Sequence, residues 1–121
     1  MVDPEVVRRI ENLAERKGRF RPEAYFWLLR ALEYTRRHLK RSGHVSGQEL
    51  LEGARQLALE EYGPMAYEVF RHWGWSSTRD LGLVVFDLVE EKLLSKEDQD
   101  TLEDFGDGFD FRRTFLEEYP W

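Results

Sequence analysis

The sequence contains no cysteine among its 121 residues, and this absence removes several classes of chemistry. Without a thiol, the chain forms no disulfide, no thiolate metal site and no cysteine nucleophile. The N-terminal segment lacks the apolar core of a signal peptide. The longest mainly apolar run, residues 81–89, is interrupted by Gly82 and Asp87 and is too short to span a bilayer. These absences predict a cytoplasmic protein without membrane contact.

Lysine and asparagine are also scarce, with 4 lysines against 14 arginines and a single asparagine, Asn12. High charge with few thermolabile side chains is typical of thermophilic proteins. GC-rich coding produces the same arginine bias. The composition therefore indicates a thermophilic source, and it carries no information about function.

The chain nevertheless has enough apolar residues to build a core. Hydrophobic residues make up 41% of it and aromatic residues 14%, including 4 Trp and 8 Phe, which a disordered chain would lack. A length of 121 residues fits one domain. We therefore expect residues 1–121 to form a single domain.

Charge is distributed unevenly along the chain, although the net charge is −6. Residues 1–41 contain 11 basic and 6 acidic residues, residues 42–94 contain 4 and 9, and residues 95–121 contain 3 and 9. Such asymmetry predicts either a basic face that meets a partner or internal pairing between the two ends.

The first two helices are predicted from their start signals and their apolar spacing. Asp3 and the following proline open a helix over residues 4–17, and Gly18 ends it. Pro22 opens the second helix, which runs to about Lys40, with Gly43 as its terminator. The second half of this helix is strongly basic.

The third helix has the clearest start in the chain. Ser46 and Glu49 form a capping box, in which each side chain bonds to the backbone N–H of the other residue. Gly53 lies within this helix and costs roughly 1 kcal/mol relative to alanine. We expect a close helix crossing at Gly53 to compensate for that cost.

The fourth and fifth helices follow directly. A Gly-Pro junction at residues 63–64 ends the third helix and begins the fourth, which stops at Gly74. Ser77 or Thr78 caps the fifth, which we expect to extend to Leu94. Its apolar residues surround the helix axis, so it should be buried, and we place the third and fifth helices at the centre.

The signals weaken in the C-terminal segment. A short acidic element is expected to begin at Ser95 and to end near Phe105. Aromatic spacing predicts a short helix over residues 110–118, although the alternating phenylalanines admit a strand or hairpin. The predicted fold is therefore all-α, a single irregular bundle of five or six helices. The alternative is a winged-helix-like arrangement, in which a buried helix leads into a hairpin.

Several segments in this order resemble the Minf family, small bacterial proteins of unknown function named after a genome locus tag. The segments are AYFWLLRALEYT, HVSGQELLEG, YGP, WG, DLGLVVFDLV and DFGDGFDF. As an ordered set they are specific, and they cover roughly residues 21–111. The resemblance implies a bacterial single-domain protein. It implies no activity and carries no site residues over to this chain.

Asp87 is the most informative single residue because it lies within the apolar segment LVVFDLV. A buried carboxylate must be paired or have its pKa raised. One hypothesis makes it a general base or a ligand-binding group in a pocket. The hypothesis that we favour is a structural pair with an arginine, a tyrosine hydroxyl, a tryptophan indole or a helix terminus.

The remaining polar candidates are weaker. His44 and His72 lack the spacing of a metal site, and local hydrogen bonding explains them more simply. Together with Asp87 and Glu49 they form a candidate polar site for an enzyme, the third hypothesis for function. The acidic segment EDQDTLEDFGDGFD does not match a calcium loop and is interpreted as a solvated face. No cofactor or metal is expected.

Two surfaces are candidates for contact with a partner. Arg36 and Arg37 belong to the basic cluster of the second helix, which suits phosphates, but the isoelectric point of about 5.1 opposes nucleic acid. Trp75, Tyr119 and Trp121 are expected to be at least partly exposed, as aromatic residues at protein interfaces are. We therefore expect a non-enzymatic module that binds another protein or self-associates. A nucleic-acid-associated regulatory protein is the alternative.

Overall fold

The structure, a computed structural model, describes residues 3–41, 43–95, 101–106 and 108–120. Five α-helices lie in these ranges: α1 (Pro4–Lys17), α2 (Pro22–Leu39), α3 (Gly47–Tyr62), α4 (Ala66–His72) and α5 (Thr78–Glu90). Shorter helical turns occupy Gly63–Met65, Leu102–Phe105 and Arg113–Glu117. The predicted all-α fold is confirmed, and the described residues contain no strand for a winged-helix hairpin.

The helices begin where their capping residues predict. The Asp3 carboxylate accepts the N–H of Glu5 at 2.8 Å and starts α1. The capping box of α3 is complete, because the Ser46 hydroxyl accepts the N–H of Glu49 at 3.1 Å while the Glu49 carboxylate accepts that of Ser46 at 3.0 Å. These contacts span three residues at most, so the sequence alone carries the signal.

The end of α2 lies where it is predicted, but a different residue terminates it. The helix stops at Leu39, one residue before the predicted end, and the terminator is Lys40 and not Gly43, because Lys40 adopts a left-handed backbone with φ 55°. The N–H of Arg41 then bonds to the carbonyl of Arg36 at 3.0 Å, which is the long hydrogen bond of a Schellman motif. Lysine fills a position that glycine usually occupies, and the sequence pattern therefore missed it.

The same motif ends α5. The helix stops at Glu90, so the predicted extension to Leu94 is wrong. Lys92 has φ 61°, and the N–H of Leu93 bonds to the carbonyl of Leu88 at 2.9 Å. This reversal turns the two leucines at positions 93 and 94 back onto the core, against which both are packed.

The centre of the bundle is formed by α2 and α3. The α2 helix packs against α1, α3 and α5 and has more buried residues than any other described helix, while α3 contacts α2, α4, α5 and two of the shorter helical turns. The central position predicted for α3 is therefore confirmed, and α2 shares it because its apolar first half is covered on several sides. None of the described helices is long and apolar enough to cross a bilayer.

The close crossing predicted at Gly53 is confirmed. A Cβ atom at this position would lie 1.8 Å from Oγ1 of Thr35 on α2. The Thr35 hydroxyl donates to the carbonyl of Ala31 at 2.7 Å and is thereby satisfied within its own helix. The missing side chain lets α2 and α3 approach closely.

Candidate functional site

Asp87 lies on α5 and is 3% exposed. Nη2 of Arg19 donates to both of its carboxylate oxygens, at 2.8 and 3.0 Å. The Tyr25 hydroxyl donates to Oδ2 at 2.7 Å, and Nζ of Lys17 is 3.7 Å from Oδ1. Asp87 therefore has the arginine and tyrosine partners that the structural hypothesis names.

Tyr25 is held as a hydrogen-bond donor in this cluster. Its burial raises the pKa of its hydroxyl well above the usual range, and the hydrogen bond to Asp87 raises it further. The phenol therefore keeps its proton at neutral pH. Both oxygens of Asp87 accept hydrogen bonds from the protein, and little of this carboxylate is open to solvent.

Further ion pairs join α1 to the end of α5. Arg16 bonds to the Glu91 carboxylate, and Arg9 bonds to the carbonyl of the same residue. Nζ of Lys17 donates to Glu90 at 3.1 Å. We call the whole set the α1–α5 clamp: Arg9, Arg16, Lys17 and Arg19 with Asp87, Glu90 and Glu91. The basic N-terminal region thus pairs internally, but with the end of α5 in the acidic middle region, whereas the charge asymmetry predicted pairing with the C-terminal end.

The four polar candidates do not form one site. The partners of Asp87 come from residues 17–25, whereas His44 precedes α3 and His72 is exposed at the end of α4. Glu49 belongs to the capping box, whose backbone N–H lowers the pKa of its carboxyl, and Arg41 lowers it further. Among the described residues, no three or more His, Asp or Glu side chains are grouped as metal ligands would be.

The predicted aromatic interface is also corrected. Trp75 is only 1% exposed, because its ring packs edge-on against Phe70 at 4.9 Å, and its backbone N–H donates to the carbonyl of Phe70 at 2.9 Å. Tyr119 is half-buried beside Gly63. Trp121 lies outside the described residues. The described part of this surface therefore lacks the exposed tryptophan on which the prediction depended.

The other predicted interface, at the end of α2, is accessible. We call residues 36–41 the basic turn. Arg37 and Lys40 are exposed, and neither has a hydrogen-bond or ion-pair partner for its side chain among the described residues. Leu39, between them, is 39% exposed. His38 is fixed, with its ring stacked at 4.0 Å on Tyr34.

Carboxylates surround the basic turn. Glu33 lines one shallow depression together with the arginines of the basic turn. Glu60 and Glu61 line a second depression, together with Arg37 and Lys40. The two α3 carboxylates are engaged by α2, Glu61 with an arginine and Glu60 with the Tyr34 hydroxyl. The surface therefore combines two cations that have no partner among the described residues, Arg37 and Lys40, with two carboxylates that α2 holds in place, Glu60 and Glu61.

A pocket of about 470 Å³ adjoins this turn, and no single stretch of sequence signalled it. Its walls come from α2, the turn before α3, the start of α3, α5 and residues 93–95, with Phe105 added from the C-terminal segment. Arg36 and His44 are the two sequence candidates among its lining residues. Because the pocket is assembled from segments that are far apart in the sequence, no local sequence pattern predicts it.

Comparisons with known protein families, curated proteins and solved structures found no match. The resemblance to the Minf family stays a prediction. The local chemistry of the basic turn and of the pocket is therefore the basis for any assignment of function.

Proposed function

We propose that this protein is a non-enzymatic interaction module that binds an acidic, amphipathic segment of a partner protein through its basic turn. The observation that carries the proposal is the presence of two exposed cations, Arg37 and Lys40, that have no partner within the described ranges and lie beside the partly exposed Leu39. Most other cations of the N-terminal region are paired within the chain.

The composition of this surface favours a protein over nucleic acid. Arginine and aromatic residues are enriched at protein interfaces, and an apolar contact beside charged groups is usual there. Glu33, Glu60 and Glu61 border the same turn and confine the uncompensated positive charge to Arg37 and Lys40, which suits one or two carboxylates better than a continuous phosphate backbone. A peptide with carboxylates and apolar side chains meets the cations and Leu39 together.

The test is a titration of the full chain with a synthetic amphipathic helix that carries glutamate and leucine. We expect binding at low ionic strength that weakens as salt is added, because exposed charges are screened. Changing Arg37→Glu and Lys40→Glu together should lower the affinity by about tenfold or more, since two attractions become repulsions.

A matched control replaces the exposed pair Arg112→Glu and Arg113→Glu, which gives the same charge change at a distant turn. This control should bind the peptide as the unmodified chain does. Equal affinity in all three proteins would overturn the proposal. Tighter binding of duplex DNA than of the peptide, lost in the Arg37 and Lys40 variant, would replace it with the nucleic-acid function.

A further inference from the structure

The pocket beside the basic turn has the dimensions of a small-molecule site. Its volume of about 470 Å³ falls within the range of about 300 to 1,000 Å³ that is usual for ligand pockets. The interaction surface described above consists of shallow depressions on the same end of α2. The pocket is more enclosed than these depressions, so it suits a small molecule and not a protein segment.

Apolar side chains form one wall of the pocket, and Arg36, His44 and Ser95 contribute polar groups elsewhere in its lining. The buried side chains of Leu32, Leu50 and Phe105 are 8%, 4% and 2% exposed. Five half-buried apolar residues of α5 and of the turn after it complete the wall: Val85, Phe86, Val89, Leu93 and Leu94. An apolar ligand would remove the exposed area of these five from water, which is favourable in proportion to that area.

The ring of Phe105 is tightly packed and fixes the shape of the pocket at this point. A Cβ atom at Gly82 on α5 would lie 2.7 Å from its ring, and one at Gly47 would lie 3.1 Å away. The carbonyl of Phe105 accepts a hydrogen bond from the Thr78 hydroxyl at 2.5 Å. The ring therefore sits between the starts of α3 and α5 at contact distance to both.

Arg36 is the one arginine among the described residues that line the pocket, and His44 is the other basic side chain there. Nε of Arg36 donates to the carbonyl of Gly43 at 3.2 Å, which orients the guanidinium. Nη1 is 3.8 Å from Glu33, whose side chain is mostly exposed, so this ion pair yields at small cost. A planar guanidinium of this kind suits a carboxylate better than any other common anion except phosphate.

We propose that this pocket binds a small amphipathic carboxylate, with its apolar chain against the α5 wall and its carboxylate on Arg36. The guanidinium of Arg36 pairs with one anionic group, and the apolar wall from α5 suits an aliphatic or aromatic body. This site does not depend on the protein contact at Arg37 and Lys40, so either proposal stands if the other fails.

The probe is decanoate below its micelle concentration, followed by amide NMR on the full chain. Decan-1-ol and decyltrimethylammonium serve as neutral and cationic analogues with the same alkyl chain. We expect shifts at the pocket residues and an affinity for decanoate about tenfold higher than for decan-1-ol, as a charge-assisted hydrogen bond provides. The cationic analogue should bind most weakly.

Two variants locate the site. Arg36→Gln should reduce the affinity for decanoate to that for decan-1-ol without changing the latter, and Val89→Trp should weaken both by filling the cavity. If Val89→Trp fails to fold, Leu94→Trp fills the pocket from its rim instead. Equal binding of decanoate and the ammonium analogue, no effect of Arg36→Gln, or shifts confined to other surfaces would overturn the proposal.

Discussion

The α1–α5 clamp and the basic turn use the same kinds of side chain for different ends. In the clamp, Arg19 and Lys17 meet the buried Asp87, and the charges are neutralised within the fold. At the basic turn, Arg37 and Lys40 reach into solvent without a partner among the described residues. The contrast shows that the basic residues near the N-terminus have two roles. Those of the clamp stabilise the fold, whereas Arg37 and Lys40 of the basic turn are accessible to a partner.

Breaking the clamp should have the largest effect. We expect Asp87→Ala to lower the free energy of unfolding by about 3 kcal/mol, because the change leaves the Tyr25 hydroxyl buried without its acceptor and Arg19 without its carboxylate. Denaturant unfolding measures this. Glu90→Ala on the same helix removes an exposed member of the clamp and should cost less than about 1 kcal/mol. Equal losses would contradict the special role of the buried carboxylate.

The next effect concerns the crossing that holds α2, and with it the basic turn, against α3. Gly53→Ala should lower the free energy of unfolding by about 2 kcal/mol, since overpacking outweighs the gain in helix propensity. Adding Thr35→Ala should restore part of this loss. Gly43→Ala, where a Cβ meets nothing within 4 Å, is the control and should be nearly neutral in thermal unfolding. A tolerated Gly53→Ala would show that the crossing is looser than the distance indicates.

A smaller loss of stability is expected when Glu49 is changed. This residue caps α3 and forms an ion pair with Arg41 of the basic turn. The pKa of Glu49 is lowered in the folded state, so its contribution to stability is present above its unfolded pKa of about 4.5 and is lost as the pH falls through the lower folded value. Glu49→Gln should therefore cost about 1 kcal/mol near neutral pH and progressively less in acid. Unfolding curves of both proteins from pH 7 to pH 3 reveal it. A constant difference across that range would contradict the assignment.

The smallest effect distinguishes two roles of Lys40 in the basic turn: its charge, which would bind the peptide, and its left-handed backbone, which affects stability. Lys40→Gly should raise the free energy of unfolding by up to about 1 kcal/mol, because glycine adopts the left-handed conformation without strain. The same change should weaken binding of the acidic peptide. Lys92→Gly has the same geometry at the end of α5 and should give the stability gain alone. If both variants bind the peptide like the unmodified chain, Lys40 has no part in the contact.

Sequence reasoning found the parts of this fold that depend on neighbouring residues. Asp3, Ser46 and the Gly-Pro junction at residues 63–64 each begin a helical element where predicted, because capping acts over a few positions. The terminator of α2 and the end of α5 differ from the prediction, since a left-handed lysine forms the Schellman motif at both positions. Residue type alone does not reveal a left-handed lysine.

The site was predicted less well because its features depend on distant segments. The burial of Trp75 follows from rings that the chain brings together from α2 and α4, and no periodicity shows that packing. Asp87 was recognised as special from its apolar neighbours, but Arg19 and Tyr25 lie more than 60 residues away. The expected start of the acidic element after Ser95 falls partly outside the described residues.

The most direct test of this division of charge is an amide NMR titration with the acidic amphipathic peptide. Our account predicts that resonances of residues 36–41 shift with increasing peptide, while those of α1 stay unchanged because its cations are held by α5. Shifts centred on α1, together with undisturbed resonances at the basic turn, would contradict it.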